Sequence, residues 1–152
     1  MACKGAVLVR DTAFNLLARR EHSAFELKRK LMQRGYDPQA IDEVVIELKK
    51  EGYQSDERFL ESFCRMKISQ GYGIFYIVNA LKQHQISQSK VKEFLLNQEI
   101  DWVYLAKAAL KKHAWRFNAA NKVALQAKKM RFLTARGFAK EVIKESLLYE
   151  NS

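Results

Sequence analysis

One helical phrase is written three times in this chain. Leu31, Gly35, Tyr36, Ile41 and Val45 return at the same offsets as Leu81, Gln85, Ile86, Val91 and Leu95. They return once more as Leu133, Gly137, Phe138, Ile143 and Leu147. The period is roughly fifty residues, in the range that marks an array of small repeated units. Each phrase ends one amphipathic helix at a stop residue and begins another after it. A unit this short buries little surface alone, and stacking in tandem supplies the missing core. The expected fold is therefore all-α: a tandem repeat of three three-helix modules forming an elongated, curved molecule. The modules are expected at residues 11–52, 55–98 and 101–150. Gln85 stands where the other two phrases have glycine, so the second module's turn is expected to differ locally.

Capping residues divide the chain into helices. Asp11 can cap a first helix whose apolar face is Phe14, Leu16, Leu17 and Ala18. Ser23 and Glu26 form an S-x-x-E capping box ahead of Phe25, Leu27, Leu31 and Met32. Asp37 caps the third helix and Pro38 occupies its first turn, where the missing N–H costs nothing. Ile41, Val44, Val45 and Leu48 form its stripe, and Gly52 ends it. Ser55 opens the second module, with Phe59, Leu60, Phe63, Cys64 and Ile68 at helical spacing before Gly71. The segment IFYIVNALKQHQ follows, then a helix capped by Ser87 with Val91, Phe94 and Leu95 inward. Asp101 opens the third module, Gly137 ends a basic helix over about 121–136, and Val142, Ile143 and Leu147 face inward from the last helix. VVIEL and FYIVNAL contain β-branched residues, but they lie inside capped, helix-period frames, so no strand is expected.

The chain has 152 residues, is 48% hydrophobic and carries a formal charge of +10. That composition predicts a folded chain, and the charge favours an acidic partner. Cys3 and Cys64 make no CxxC pair and have no ligand spacing with His22, His84 or His113, which fits a reducing cytosol and no metal site. No apolar run reaches the ~20 residues of a membrane span. MACKGAVLVRD has too short an apolar stretch for a signal peptide. A cytoplasmic protein is expected.

No constellation for catalysis emerges, and neither a cofactor nor a catalytic residue is expected. There is no phosphate-binding G-x-x-x-x-G-K-[ST] loop. GYGIFY lacks the third glycine and preceding strand of a nucleotide loop and reads as a helix stop followed by a helix start. Ser23, beside His22, reads as an N-cap rather than a nucleophile. Glu57 and Glu61 are one turn apart on a helix that also carries Arg58 and Arg65, which reads as solvated ion pairing. A helix-turn-helix DNA reader would need a recognition helix compatible with phosphate. The helix from Pro38 instead carries Asp42, Glu43 and Glu47, and its third-module equivalent carries Glu141 and Glu145.

The basic residues are unevenly spread. Residues 1–51 carry a net charge of +2, residues 52–100 a net +1 and residues 101–152 a net +7. Arg19, Arg20, Lys28, Arg29 and Arg34 gather on and just before the first module's second helix. Arg65, Lys67 and Tyr72 lie mid-chain. Lys111, Lys112, Lys128, Lys129, Arg131 and Arg136 belong to the third module, and Trp115 sits between helices in KKHAWRFN. These are the candidate contact residues: cations for a phosphate backbone, aromatic rings for bases. Trp102 reads as core and Trp115 as exposed, while Tyr76 reads equally as core or surface.

The phrases ARREHSAFEL, LMQRGYD, EGYQSDERF and RMKISQGYG, in that order and spacing, resemble the RecX family of bacterial regulators of the RecA recombinase. The closing KKMRFLTARGFAKEVIKESL is similar to that family's last module. The resemblance runs over nearly the whole chain from Ala13. It implies tandem three-helix modules and a non-enzymatic monomer acting in DNA recombination, repair and the SOS response. It implies binding to RecA filaments on single-stranded DNA, along the helical groove, with inhibition of ATP hydrolysis, strand exchange and co-protease activity. It also implies binding to single- and double-stranded DNA without sequence preference. The alternative is a sequence-independent DNA-binding protein that acts without RecA.

Overall fold

The computed structural model describes residues 2–148, with side chains from residue 7 onward. Among the described residues there are α-helices, one short 3-10 turn and no strand. The helices are α1 (Ala2–Arg19), α2 (Ala24–Gln33), α3 (Pro38–Lys50), α4 (Asp56–Ser69), α5 (Ile74–Gln83), α6 (Gln88–Asn97), α7 (Trp102–Lys112), α8 (Lys122–Ala135) and α9 (Lys140–Leu148). The 3-10 turn, Ala114–Arg116, lies between α7 and α8. Packing divides the chain into two compact units: residues 1–62 with 84–86, and residues 63–83 with 87–152.

In the first unit, α1, α2 and α3 pack on one another around Val9, Ala13, Leu16, Leu27, Leu31, Ile41, Val44, Val45 and Leu48. Val9, Ala13 and Leu16 fall at i, i+4 and i+7, so the apolar stripe of α1 continues N-terminal to Asp11. That corrects one expectation: α1 begins at Ala2, and Asp11 is an exposed residue within the helix, not its cap. Phe14 also faces outward, edge-on to Tyr53 with ring centroids 5.1 Å apart.

The α2–α3 connection explains the repeated phrase. Arg34 is the C-cap of α2 and Gly35 takes φ +85°. The Tyr36 N–H then donates to Leu31 O (3.4 Å) and the Gly35 N–H to Met32 O (3.0 Å). This paired pattern satisfies two terminal carbonyls of α2 while turning the chain. Asp37 accepts from the Ala40 N–H at 3.2 Å and starts α3. The third phrase repeats the device: Phe138 N–H to Leu133 O at 3.1 Å and Gly137 N–H to Thr134 O at 3.0 Å. Gln85 corrects a second expectation. Its φ is +59°, so the glycine-free turn has the same left-handed backbone, and the side chain carries the conformational cost.

In the second unit, α7, α8 and α9 enclose Ala106, Ala109, Leu110, Leu133, Phe138, Ile143 and Leu147. Trp102 packs, half-buried, against this core. α5 and α6 pack together, burying Ile77, Val78, Leu81, Val91 and Leu95. Cys64 is also buried in this unit, and burial pushes its thiol pKa up to about 12, which removes it as a nucleophile near neutral pH. The Cys3 side chain and the residues after Leu148 lie outside the described residues.

Candidate nucleic-acid interface

The α4–α5 connection meets the α8–α9 turn within the second unit, and this contact builds the site. The Gly73 N–H donates to Arg136 O at 2.8 Å, and the Phe75 N–H donates to Gly137 O at 2.9 Å. Two open N–H groups at the start of α5 are thus satisfied by carbonyls at the end of α8. Backbone approaches backbone so closely that a Cβ on Gly73 would lie 2.5 Å from Gly137 C. A Cβ on Gly137 would collide with the backbone of Tyr76. The second glycine of GYG is therefore a packing requirement.

The same approach brings Tyr72 beside Arg136. The Tyr72 and Tyr76 rings stack with centroids 3.9 Å apart and planes 13° from parallel. The Arg136 guanidinium lies 4.6 Å from the Tyr72 centroid and 5.3 Å from that of Phe132. Tyr72 therefore contacts both a ring and a cation. Lys67 Nζ lies 5.4 Å from Tyr72, 5.6 Å from Tyr76 and 5.5 Å from Phe63. These contacts hold positive charge against aromatic faces.

Arg136 is further fixed by donating to Gln70 O at 3.1 Å and to His113 Nε2 at 3.0 Å. Arginine only donates, so His113 Nε2 is an acceptor and its proton sits on Nδ1. Desolvation lowers the His113 pKa, and the charges of Arg136, Arg116 and Lys112 lower it further. Burial raises the Tyr76 pKa, with a contribution from Tyr72. Both shifts favour the neutral forms of His113 and Tyr76.

Tyr72, Arg116, Lys128, Arg131, Phe132 and Arg136 line a groove of about 550 Å³. Its lining contains no carboxylate. Two neighbouring grooves are also basic. Arg65 and Lys112 border one of about 340 Å³, and Lys111 and Lys129 border one of about 490 Å³ with Lys107. All the candidates named from residue 65 onward thus lie on this unit, and all of them except Lys67 and Trp115 line one of these three hollows. Trp115, in the 3-10 turn, is 80% exposed. Arg116, Phe132 and His113 were absent from the sequence-derived candidates. A usable signal was present, since Phe132 and Arg136 are i,i+4 on one helix face.

The candidates of the first unit have a different character. Arg19, Arg29 and Arg34 are exposed. Lys28 pairs with Asp42 at 3.4 Å. Arg20 is exposed but engaged, hydrogen-bonded to the buried Glu26 carboxylate and to Glu21 O. Lys30 Nζ lies 3.4 Å from Glu26 and donates to His22 Nε2 at 2.9 Å. Ser23 accepts from the Glu26 N–H at 3.0 Å, which is the N-cap role expected, while the Glu26 side chain serves the charge cluster instead of the reciprocal half of a capping box. Among the described residues, no group of three or more His, Cys, Asp or Glu side chains could hold a metal ion, and no helix is long and apolar enough to cross a membrane.

The chain is similar to proteins of one family. Residues 10–56 match the family model of the RecX first three-helix domain, and residues 55–95 match that of the RecX second three-helix domain. The regulatory protein RecX of Legionella pneumophila strain Corby is 38% identical over 133 residues, 88% of each chain. That of Pseudomonas fluorescens Pf-5 is 40% identical over 142 residues, covering 93% of this chain and 90% of the relative. The crystal structure of RecX from Lactobacillus salivarius superposes with a TM-score of 0.80 at 20% identity, covering 97% of both chains. A second crystal structure of regulatory protein RecX gives 0.83 at 18% identity, covering 95% of this chain and 72% of that one. At such identities the two structures establish the shared fold.

Proposed function

The chain belongs to the RecX family of regulatory proteins, and from that premise we propose that it is a negative modulator of the RecA recombinase. It binds RecA filaments on single-stranded DNA along the helical groove. It inhibits ATP hydrolysis, strand exchange and co-protease activity by occupying the filament, with no chemistry of its own. It works as a cytoplasmic monomer of three three-helix modules and binds DNA of either strandedness without sequence preference. The observation that carries this reading is the carboxylate-free groove of Arg116, Lys128, Arg131 and Arg136 beside the Tyr72–Tyr76 stack. Cations in a lining without carboxylates suit a nucleoprotein filament, whose phosphates repeat along its length.

The test is single-stranded-DNA-dependent ATP hydrolysis by RecA filaments, with this protein titrated from sub-stoichiometric to equimolar amounts. A steep fall at amounts too small to coat the DNA supports direct action on the filament. A fall that waits for DNA saturation means simple competition for DNA, and the plain DNA-binding reading takes over.

A further inference from the structure

Within the surface just assigned, the aromatic rings differ in what they still offer. Tyr72 is already engaged: Tyr76 stacks on it with centroids 3.9 Å apart and the Arg136 guanidinium lies 4.6 Å from its centroid. Arg136 is itself held by Gln70 O, His113 and Tyr72. These residues form a finished internal assembly. Trp115 is the opposite case. It is 80% exposed on a 3-10 turn, so it gives up most of the stabilisation that burying an indole supplies. Arg116 links it to the groove, its guanidinium 5.9 Å from the Trp115 ring and 5.4 Å from the Phe132 ring. Further along the groove, Lys128 and Arg131 stand one turn apart on α8, about 5–6 Å between Cβ atoms, with Lys128 Nζ exposed and donating one hydrogen bond, to Asn118 O at 2.5 Å.

We propose that Trp115, Arg116, Lys128 and Arg131 form a subsite for single-stranded nucleic acid, in which an unpaired base stacks on Trp115 and successive backbone phosphates lie against Arg116, Arg131 and Lys128. Every base presents a π-face, so the stacking is indifferent to sequence, and it requires a base that is not paired. The cations contact phosphate in single strand and duplex alike. Trp115 therefore supplies the preference for single strands, and the cations supply affinity and salt dependence. Arg136 and Tyr72 are positioning residues: they fix the groove wall and contact no nucleotide. An acidic protein segment could meet the same cations, but it has no flat π-face to offer an exposed indole.

This assignment rests on the proposed function for its ligand class, and the experiment separates the two. Anisotropy of fluorescein-labelled oligo(dT), and of a labelled duplex of equal length, is followed with the full chain and no RecA. Trp115→Ala is expected to weaken oligo(dT) binding on the order of tenfold and to change duplex binding less than about twofold. Trp115→Phe is expected to restore most of the loss. Arg131→Glu is expected to weaken both ligands and flatten the dependence on salt. Trp115 is exposed, so its replacement leaves the fold intact, and far-ultraviolet circular dichroism verifies that. Equal loss on both ligands, no loss with Trp115→Ala, or no oligo(dT) binding by the wild type overturns the subsite. So does poly-glutamate that competes with oligo(dT) only while Trp115 is present. In each of those cases, inhibition of RecA ATP hydrolysis that survives in Trp115→Ala leaves the filament-modulator reading standing.

Discussion

At the scale of single residues, the first unit buries a charge where a core is expected. Glu26 is 3% exposed, and burial alone would raise its carboxyl pKa. The Arg20 hydrogen bond, with the charges of Arg20, His22 and Lys30, overcomes that and holds it below 4.5. Desolvation lowers the pKa of His22, and that of His84, whose Nδ1 lies 3.2 Å from Ser23 Oγ. For both histidines the folded state binds its proton less readily than the unfolded state. Their contribution is complete above pH 6.5 and is lost as pH falls toward the depressed folded values. Glu26 contributes above 4.5, and that stability is lost as pH falls through its lower folded value. The melting temperature, followed by circular dichroism, is expected to be flat above pH 7, to decline first below about 6.5 and again below about 4.5. The double variant His22→Gln, His84→Gln is expected to shallow the first decline. Glu26→Ala should cost about 1–3 kcal/mol in urea denaturation, since Lys30 loses its carboxylate partner beside the buried His22, while Arg20 can turn to solvent.

At the scale of elements, the three connections let conformational strain be separated from steric contact. Gln85 is exposed at φ +59°, so Gln85→Gly should stabilise by about 1 kcal/mol, seen as a higher urea midpoint with unchanged slope. Gly35→Ala meets no atom within 4 Å and should cost about 1–2 kcal/mol from backbone conformation alone. Gly73 needs no unusual φ, yet its Cβ would meet the backbone of Gly137 and Phe138 at 2.5 Å. Gly73→Ala should cost about 2 kcal/mol or more. It should also disturb the Tyr72–Arg136 contact, with measurable weakening of oligo(dT) binding. Equal costs at Gly35 and Gly73 would mean that the α5–α8 backbone approach contributes nothing.

At the scale of the whole molecule, charge is the quantity to test. The net +7 of residues 101–152 against +2 for residues 1–51 predicts where free DNA binds. Charge reversal at Lys128 and Arg131 should reduce the salt slope of oligo(dT) binding, by about 0.7 for each phosphate that is no longer neutralised. Reversal at Arg29 and Arg34 should leave that slope unchanged and weaken association with RecA filaments. Equal weakening on free DNA and filament from the Arg29 and Arg34 changes would favour a DNA-binding protein that acts without RecA.

Residues a few positions apart determined the helices and their turns. Leu31, Gly35, Tyr36 and Asp37 form a stop and a start within seven residues, and caps and apolar periods act over that same short range. The N-terminal reach of α1 escaped because Val9 is legible as core only once α3 is packed beside it. Tertiary structure alone decided which charges remain available. Arg20 and Arg136 look like any other exposed arginine in the sequence, but one is bound to Glu26 and the other to Tyr72, Gln70 and His113. It also decided that Tyr72 is covered while Trp115 is open. The physical reason is range. Capping and periodicity are settled within one or two turns of chain, whereas a salt bridge or ring stack depends on partners that folding brings together from tens of residues away.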